Sequence, residues 1–323
     1  MSEHETETLL RDSLERLADR APDGREVRGA LARARRRRRP RLALAAVAAA
    51  VVVVSAGIPV ALNVVSGTSA DLTPAASRPV LGYTPDWLPD GFTEQYRSGG
   101  PGTAVQVRRW MAGPARVELA AHSTAEPEWA QTALRIAALR DQVVVDGRVG
   151  MVTGENAAAA TVTWMPDDRH VLTAEVDGMP DARGVAEQVA DSVRAEPAQV
   201  RGEARLGSLP NGLRELATTV QGSSPEDGST TLDASAPAAP RAVAVRVTVG
   251  AGSPGLGGSA PVRVRGLPGA YVAASGPAEA SVTVRLPSGR WLTASGRVPQ
   301  AQLIAVADGV ELDSAPDYGW LGD

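Results

Sequence analysis

The chain has no cysteine and no lysine among its 323 residues, one phenylalanine, four tyrosines and three histidines. Without cysteine there are no disulfides, thiolate metal sites, cysteine nucleophile or lipoprotein anchor. An exported domain of roughly 120 residues can do without them, because a chain of that size buries a sufficient core on its own. With so few aromatic residues, that core has to be built from Val, Leu and Ala, a composition that favours sheet. All 33 basic residues are arginine, and their distribution is uneven: residues 1–41 hold twelve against eight acidic residues, the remainder 21 against 29.

What the chain does have is a junction between charge and its absence. Arg33, Arg35, Arg36, Arg37, Arg38, Arg39 and Arg41 stand directly against a stretch, Leu42 to Ala70, that carries no charge. Leu42–Val65 is almost entirely Ala, Val, Leu and Ile, and at ~1.5 Å rise per residue such a run makes about 30 Å of helix, enough to cross a bilayer's hydrocarbon core. Arginine-rich flanks stay cytoplasmic, which puts residues 1–41 inside and the C-terminal part outside the cell membrane. A cleaved signal peptide is the rival reading, because Thr68-Ser69-Ala70 fits a small-residue cleavage site, but the charged segment before it is far longer than an ordinary n-region. Nucleic-acid binding is not expected of the arginines. Next to a membrane span, orientation and attraction to anionic lipid, at about 1 kcal/mol per charge, explain them more simply.

Ahead of the arginines, Leu10, Leu14 and Leu17 form a narrow apolar stripe on a charged helix. Three leucines are too few for a core of their own, so the stripe is expected either to dock on a cytoplasmic partner or to belong to a partly disordered tail with only a topological role. Residues 66–80 are rich in Ser, Thr, Ala and Pro and read as a flexible stalk.

Beyond the stalk the sequence resembles itself at an interval of about 120 residues. Leu88-Pro89-Asp90-Gly91 returns as Leu209-Pro210-Asn211-Gly212, Val143–Gly147 as Val262–Gly266, and Thr161–Pro166 as Ser281–Pro287. Each copy closes on a helical pattern, Val185, Val189 and Val193 in one, Leu303, Val306 and Val310 in the other. Within a copy the apolar period is two, as in Val282, Val284 and Leu286. The fold class expected is α+β: two tandem repeats, 81–197 and 206–323, each an antiparallel sheet of four to six strands with a C-terminal helix on one face, preceded by the transmembrane helix. An additional helix is expected in the first copy over Ser123–Arg140, with Ser123 and Glu126 as its capping box. Gly222–Pro240 and Gly250–Pro261 are expected to be mobile loops.

Signals for chemistry are sparse. Gly250-Ala251-Gly252-Ser253-Pro254-Gly255 matches a dinucleotide fingerprint, but that motif requires a helix opening at the loop, and Pro254, Gly257, Gly258 and Pro261 prevent one. His4, His122 and His170 show no metal-ligand spacing, although His122 and His170 with a carboxylate form a conceivable zinc set. Asp167 and Asp168 adjoin in what reads as a hairpin turn. No serine lies in a Gly-x-Ser-x-Gly elbow. Trp87, Trp164 and Trp291 are candidates for a ligand-binding wall, with core packing as the commoner role. No catalytic, cofactor or metal residue is assigned.

The order Leu88-Pro89-Asp90-Gly91, Val145-Asp146-Gly147, the Thr161-Val162-Thr163-Trp164 strand and the terminal helix Val185-Ala186-Glu187-Gln188-Val189-Ala190-Asp191-Ser192-Val193 resembles the extracytoplasmic domain of many Gram-positive single-pass proteins. Some of these are anti-sigma-factor-like regulators. The resemblance covers Leu88–Arg194 well and Leu209–Val310 weakly. The N-terminal part looks like the juxtamembrane region of actinobacterial membrane regulators, but it lacks the His and Cys ligands of the zinc-containing anti-sigma domain. What the resemblance and the topology together imply is a non-enzymatic bitopic protein with an envelope-side sensing or binding module, contacts to membrane lipid and an envelope ligand, and a cytoplasmic regulatory partner. A membrane-tethered scaffold with a purely topogenic tail and a secreted hydrolase are the alternatives.

Overall fold

In the computed structural model, by internal contacts, the chain divides into Met1–Val65 and Ser66–Asp323. The structure describes residues 79–323 and the pair Thr73–Pro74, except residues 102, 104, 137–141 and 211. Leu10, Leu14, Leu17, the seven arginines and the apolar run Leu42–Val65 therefore lie outside the described residues. Among the described residues no helix is long and apolar enough to cross a membrane.

The first half of the described chain contains β1 (Thr73–Pro74), β2 (Val80–Pro85), β3 (Thr93–Gly99), β4 (Val105–Ala112), β5 (Ala115–Ser123), α1 (Pro127–Ile136), β6 (Gln142–Val145), β7 (Arg148–Asn156), β8 (Ala159–Asp167), β9 (His170–Asp177), α2 (Ala182–Ser192) and β10 (Val193–Gln199). The second half contains β11 (Ala204–Leu206), β12 (Ser208–Leu209), β13 (Arg214–Gln221), β14 (Ser229–Ala236), β15 (Ala239–Gly250), β16 (Ala260–Val264), β17 (Leu267–Val272), β18 (Ala280–Arg285), β19 (Trp291–Gly296), α3 (Gln300–Asp308) and β20 (Val310–Leu312).

The α+β expectation is corrected by this architecture. The described chain is mostly β, and in place of two separate sheets of four to six strands there is one continuous antiparallel sheet of fourteen, ordered β16-β17-β18-β19-β15-β14-β13-β3-β4-β5-β9-β8-β7-β6. The physical reason lies at the centre, where β3 pairs with β13 from Tyr96↔Gln221 to Gly99↔Thr218. Each group of seven strands would otherwise end in a row of unpaired amides and carbonyls, and each satisfies the other's edge. Gly100 permits the approach, because a Cβ there would come within 2.5 Å of the Leu216 carbonyl oxygen. What is duplicated is strand order within one sheet: outward from the centre, β3-β4-β5-β9-β8-β7-β6 matches β13-β14-β15-β19-β18-β17-β16. The turns before β7 and β17 share their backbone too, with positive φ at Asp146 (47°) and Gly147 (74°) and at Arg265 (54°) and Gly266 (74°), the signature of a tight hairpin.

Two apolar cores line the same side of the sheet. One gathers Trp110, Val117, Leu119, Val162, Trp164 and Leu172 under Ala186 and Val189 of α2, and the other gathers Val247, Val282, Val284 and Leu292 under Leu303 and Val306 of α3. A smaller cluster, Leu81, Val200, Val220, Tyr318 and Leu321, sits near the central pairing. The Gly222–Pro240 segment, expected as a mobile loop, instead contains β14, whose Thr230, Leu232 and Ala234 are buried in alternation.

The central pairing also carries a buried charge cluster. The Glu94 carboxylate accepts from both Arg97 (Nε 2.9 Å, Nη2 2.8 Å) and Arg108 (Nε 2.8 Å, Nη2 2.7 Å). The Arg97 guanidinium lies over the Trp320 ring at 4.0 Å, while the Glu94 amide donates to the Asp323 carbonyl and Gly322 donates back to the Glu94 carbonyl. One buried carboxylate neutralised by two forked guanidiniums tolerates no loss of a partner. Glu94→Gln is therefore expected to destabilise the fold by about 3–5 kcal/mol in chemical denaturation; a loss below about 1 kcal/mol, within the range of an exposed pair, would show the cluster to be peripheral.

Candidate functional site

The turn joining β8 to β9 is made by an aspartate that organises its own backbone. Asp167 Oδ1 accepts from the amides of Arg169 (2.7 Å) and His170 (2.9 Å), an arrangement that closes the bend locally and explains why Asp suits this position. The carboxylate is then used a second time. Tyr83, on β2 and 84 positions away in sequence, donates its hydroxyl to Asp167 Oδ2 at 2.8 Å. His170 brings Nδ1 to 2.9 Å from the same oxygen and 3.1 Å from the tyrosine hydroxyl, and the two rings meet edge to face at 5.5 Å. β2 reaches this turn because it pairs with β10, which follows directly from α2 over the first core.

Beside the cluster is a cleft of about 230 Å³ with an apolar floor, Trp164, Leu172 and Val145, and a polar rim, Tyr83, Arg148 and Arg194. The electrostatics of the rim favour recognition by hydrogen bonding. Partial burial raises the Asp167 carboxyl, but hydrogen bonds from His170, the Arg169 amide and Tyr83 outweigh it and hold the group down at about 2. The Tyr83 phenol moves the other way, raised first by burial and then by its bond to Asp167. At neutral pH the phenol is thus a fixed donor, and the carboxylate a fixed acceptor.

The remaining candidates do not converge. His122 and His170 lie on neighbouring strands, His122 opposite Val171 and His170 opposite Ser123, but His122 contacts Trp129 whereas His170 turns to Tyr83. Among the described residues no three His, Cys, Asp or Glu side chains gather to hold a metal ion. Trp164 is 3% exposed in the first core, Trp87 packs on the edge of that core, and Trp291 lies in the other half beside Arg285, so the three do not form one wall. The Gly250–Gly255 segment leads from β15 into β16, with no helix at the loop. The helix expected over Ser123–Arg140 is found as α1 from Pro127. The Ser123 hydroxyl accepts from Ala125 instead of closing a capping box, and proline takes the first helical position, where no donor is needed. The Tyr83 contribution was not foreseen, and no local signal points to it, since β2 carries neither a motif nor a strong alternation.

Because the folded-state value of Asp167 lies below that of a free carboxyl, its contribution to stability is fully present above about pH 4 and is lost as the pH falls toward about 2. An acid-unfolding series should therefore show wild type losing stability through that interval more steeply than Asp167→Asn. Equal slopes would mean that the cluster is not preformed in solution.

No protein-family model and no curated protein matches the sequence. Among solved structures, MucB in complex with MucA(peri) is 14% identical, with 69% of this chain and 94% of that chain covered and a TM-score of 0.23. MucB in a second structure is 12% identical over 69% of this chain and 93% of that chain, at a TM-score of 0.20. Both are weak structural neighbours, and at these scores neither a shared fold nor a shared activity follows.

Proposed function

We propose that the chain is a non-enzymatic single-pass membrane protein whose β-sheet body is a binding or sensing module on the envelope side. The observation that carries this reading is the seven-arginine collar, Arg33 to Arg41, abutting the uncharged run Leu42–Ala70. The cleft beside Tyr83, Asp167 and His170 supports the binding part. Tyr83 and Asp167 hold one another in place at its rim, Arg148 lines the rim beside them, and its floor is apolar, a combination suited to orienting a small polar ligand. Regulation of a cytoplasmic partner is assigned to the Leu10, Leu14 and Leu17 stripe.

Reporter fusions after Val80 and after Asp323 test the topology. Both should be active on the outside of the membrane, and protease added to intact cells should remove the sheet body; a body that survives such treatment overturns the placement. For the regulatory part, capture with the full chain should yield a cytoplasmic protein that is lost on Leu14→Asp. If every captured protein binds both versions equally, the tail acts only in orienting the chain.

A further inference from the structure

His122 is 8% exposed, on β5, and belongs to neither apolar core. Its strand neighbours Leu119 and Ala121 enter the first core, so alternation places His122 with Ala120 on the opposite face of the sheet. α1 lies over that face, in contact with β7, β8 and β9. The Trp129 ring stacks on the imidazole with centroids 3.6 Å apart and planes 19° from parallel. Nε2 is 3.5 Å from the Thr173 hydroxyl, and Nδ1 is buried with no hydrogen-bond partner. The ring is held by stacking, not by a polar network. An orphaned polar atom this deep calls for an explanation.

The charges around it are paired elsewhere or, as with Glu128 and Arg135, exposed to solvent. From the α1 side, Glu126 pairs with Arg241 of β15 at 2.5 Å, Glu128 is in the first turn and Arg135 in the last. On β5 itself Glu118 pairs with Arg109 of β4, and on β9 Glu175 pairs with Arg116. In the β8–β9 turn, Asp168 and Arg169 present backbone carbonyls to Thr124. His170 is bound to Asp167. β7 and β8 bring Met151 and Thr163 to this face. None of these groups hydrogen-bonds His122. Burial accordingly holds the imidazole at about 4, well below its ordinary value.

The helix over this ring is lightly fastened. Ile136 is its only buried residue, Trp129 is half-buried, and Leu134 is 73% exposed. Few buried contacts make an element the first to open locally, ahead of the sheet beneath it. We propose that α1 is a cover released by acid: protonation of His122 breaks its fit against Trp129 and lifts the helix from the strip of Ala120, Thr163, Val171 and Thr173 that it shields. Ala120, Thr163 and Val171 are at most 5% exposed with the helix in place. An imidazolium on an indole face regains some attraction, but it gains a second donor with nothing to accept from it. The closed form therefore binds the proton more weakly than the open one. Closure is complete above the ordinary histidine value of about 6.5, weakens as the pH falls, and levels off below about 4. Within that window the open fraction rises by up to about tenfold per pH unit. The device depends on side-chain geometry and not on which side of a membrane the body faces.

Hydrogen exchange read by mass spectrometry on the full chain tests this, with rates corrected for intrinsic pH dependence and peptides from β18–β19 as the internal reference. Between about pH 7 and about pH 5, opening of α1 should increase at least tenfold while β18–β19 stays protected. His122→Phe, which stacks but cannot titrate, should abolish the increase; where it fails to fold, His122→Gln serves the same purpose. Trp129→Ala should leave α1 open at both values. An α1 whose protection is unchanged by acid, an equal response in the variant that cannot titrate, a closed α1 in Trp129→Ala, or loss of protection in α1 and β18–β19 together would each overturn the proposal.

Discussion

The pairing of β3 with β13 is the contact on which the rest of the structure depends. Every other strand pair joins residues within one half of the sheet or at its periphery, but this one makes two seven-stranded groups into a single hydrogen-bonded body. The strand pair is short, and it is backed on the core side by Glu94, Arg97 and Arg108, with Trp320 over Arg97. A buried carboxylate held by two forks is a directional constraint in a region where small apolar side chains alone would permit sliding. Hydrophobic burial holds each half together, and the charge cluster helps to fix how the halves meet.

Sequence periodicity made the individual strands legible where Val and Leu alternate with polar residues. Val282, Val284 and Leu292 are all in the core; of the residues read as closing helices, Val189, Leu303 and Val306 are buried on α2 and α3, whereas Val193 and Val310 fall in strands β10 and β20. The fusion of the sheet was not legible. Tyr96, Arg97 and Ser98, opposite Gln221, Val220 and Thr219, read as surface strands, and long-range edge pairing leaves no local pattern. The β14 strand was hidden for a related reason: Thr230, Leu232 and Ala234 alternate correctly, but small polar residues and flanking Gly and Pro give the segment a loop's composition.

The candidate site divides in the same way. Asp167 was readable as a turn residue because its chemistry is local, satisfied within three positions. Its bond to Tyr83 depends on the β2–β10 ribbon crossing to the first core, and that is a tertiary event. His122 was visible only as one histidine among three. Its isolation beneath Trp129 arises from the helix being laid on the sheet, a feature the second half lacks.

Among the described residues the sheet of fourteen strands ends at two margins, β6 and β16. They differ in how they receive another strand. β16 carries Pro261, which has no amide to give, and the exposed Arg263. β6 carries no proline and shows Val144 at 68% exposure. An added strand would meet an unbroken row of backbone donors along β6 and a row interrupted at Pro261 along β16.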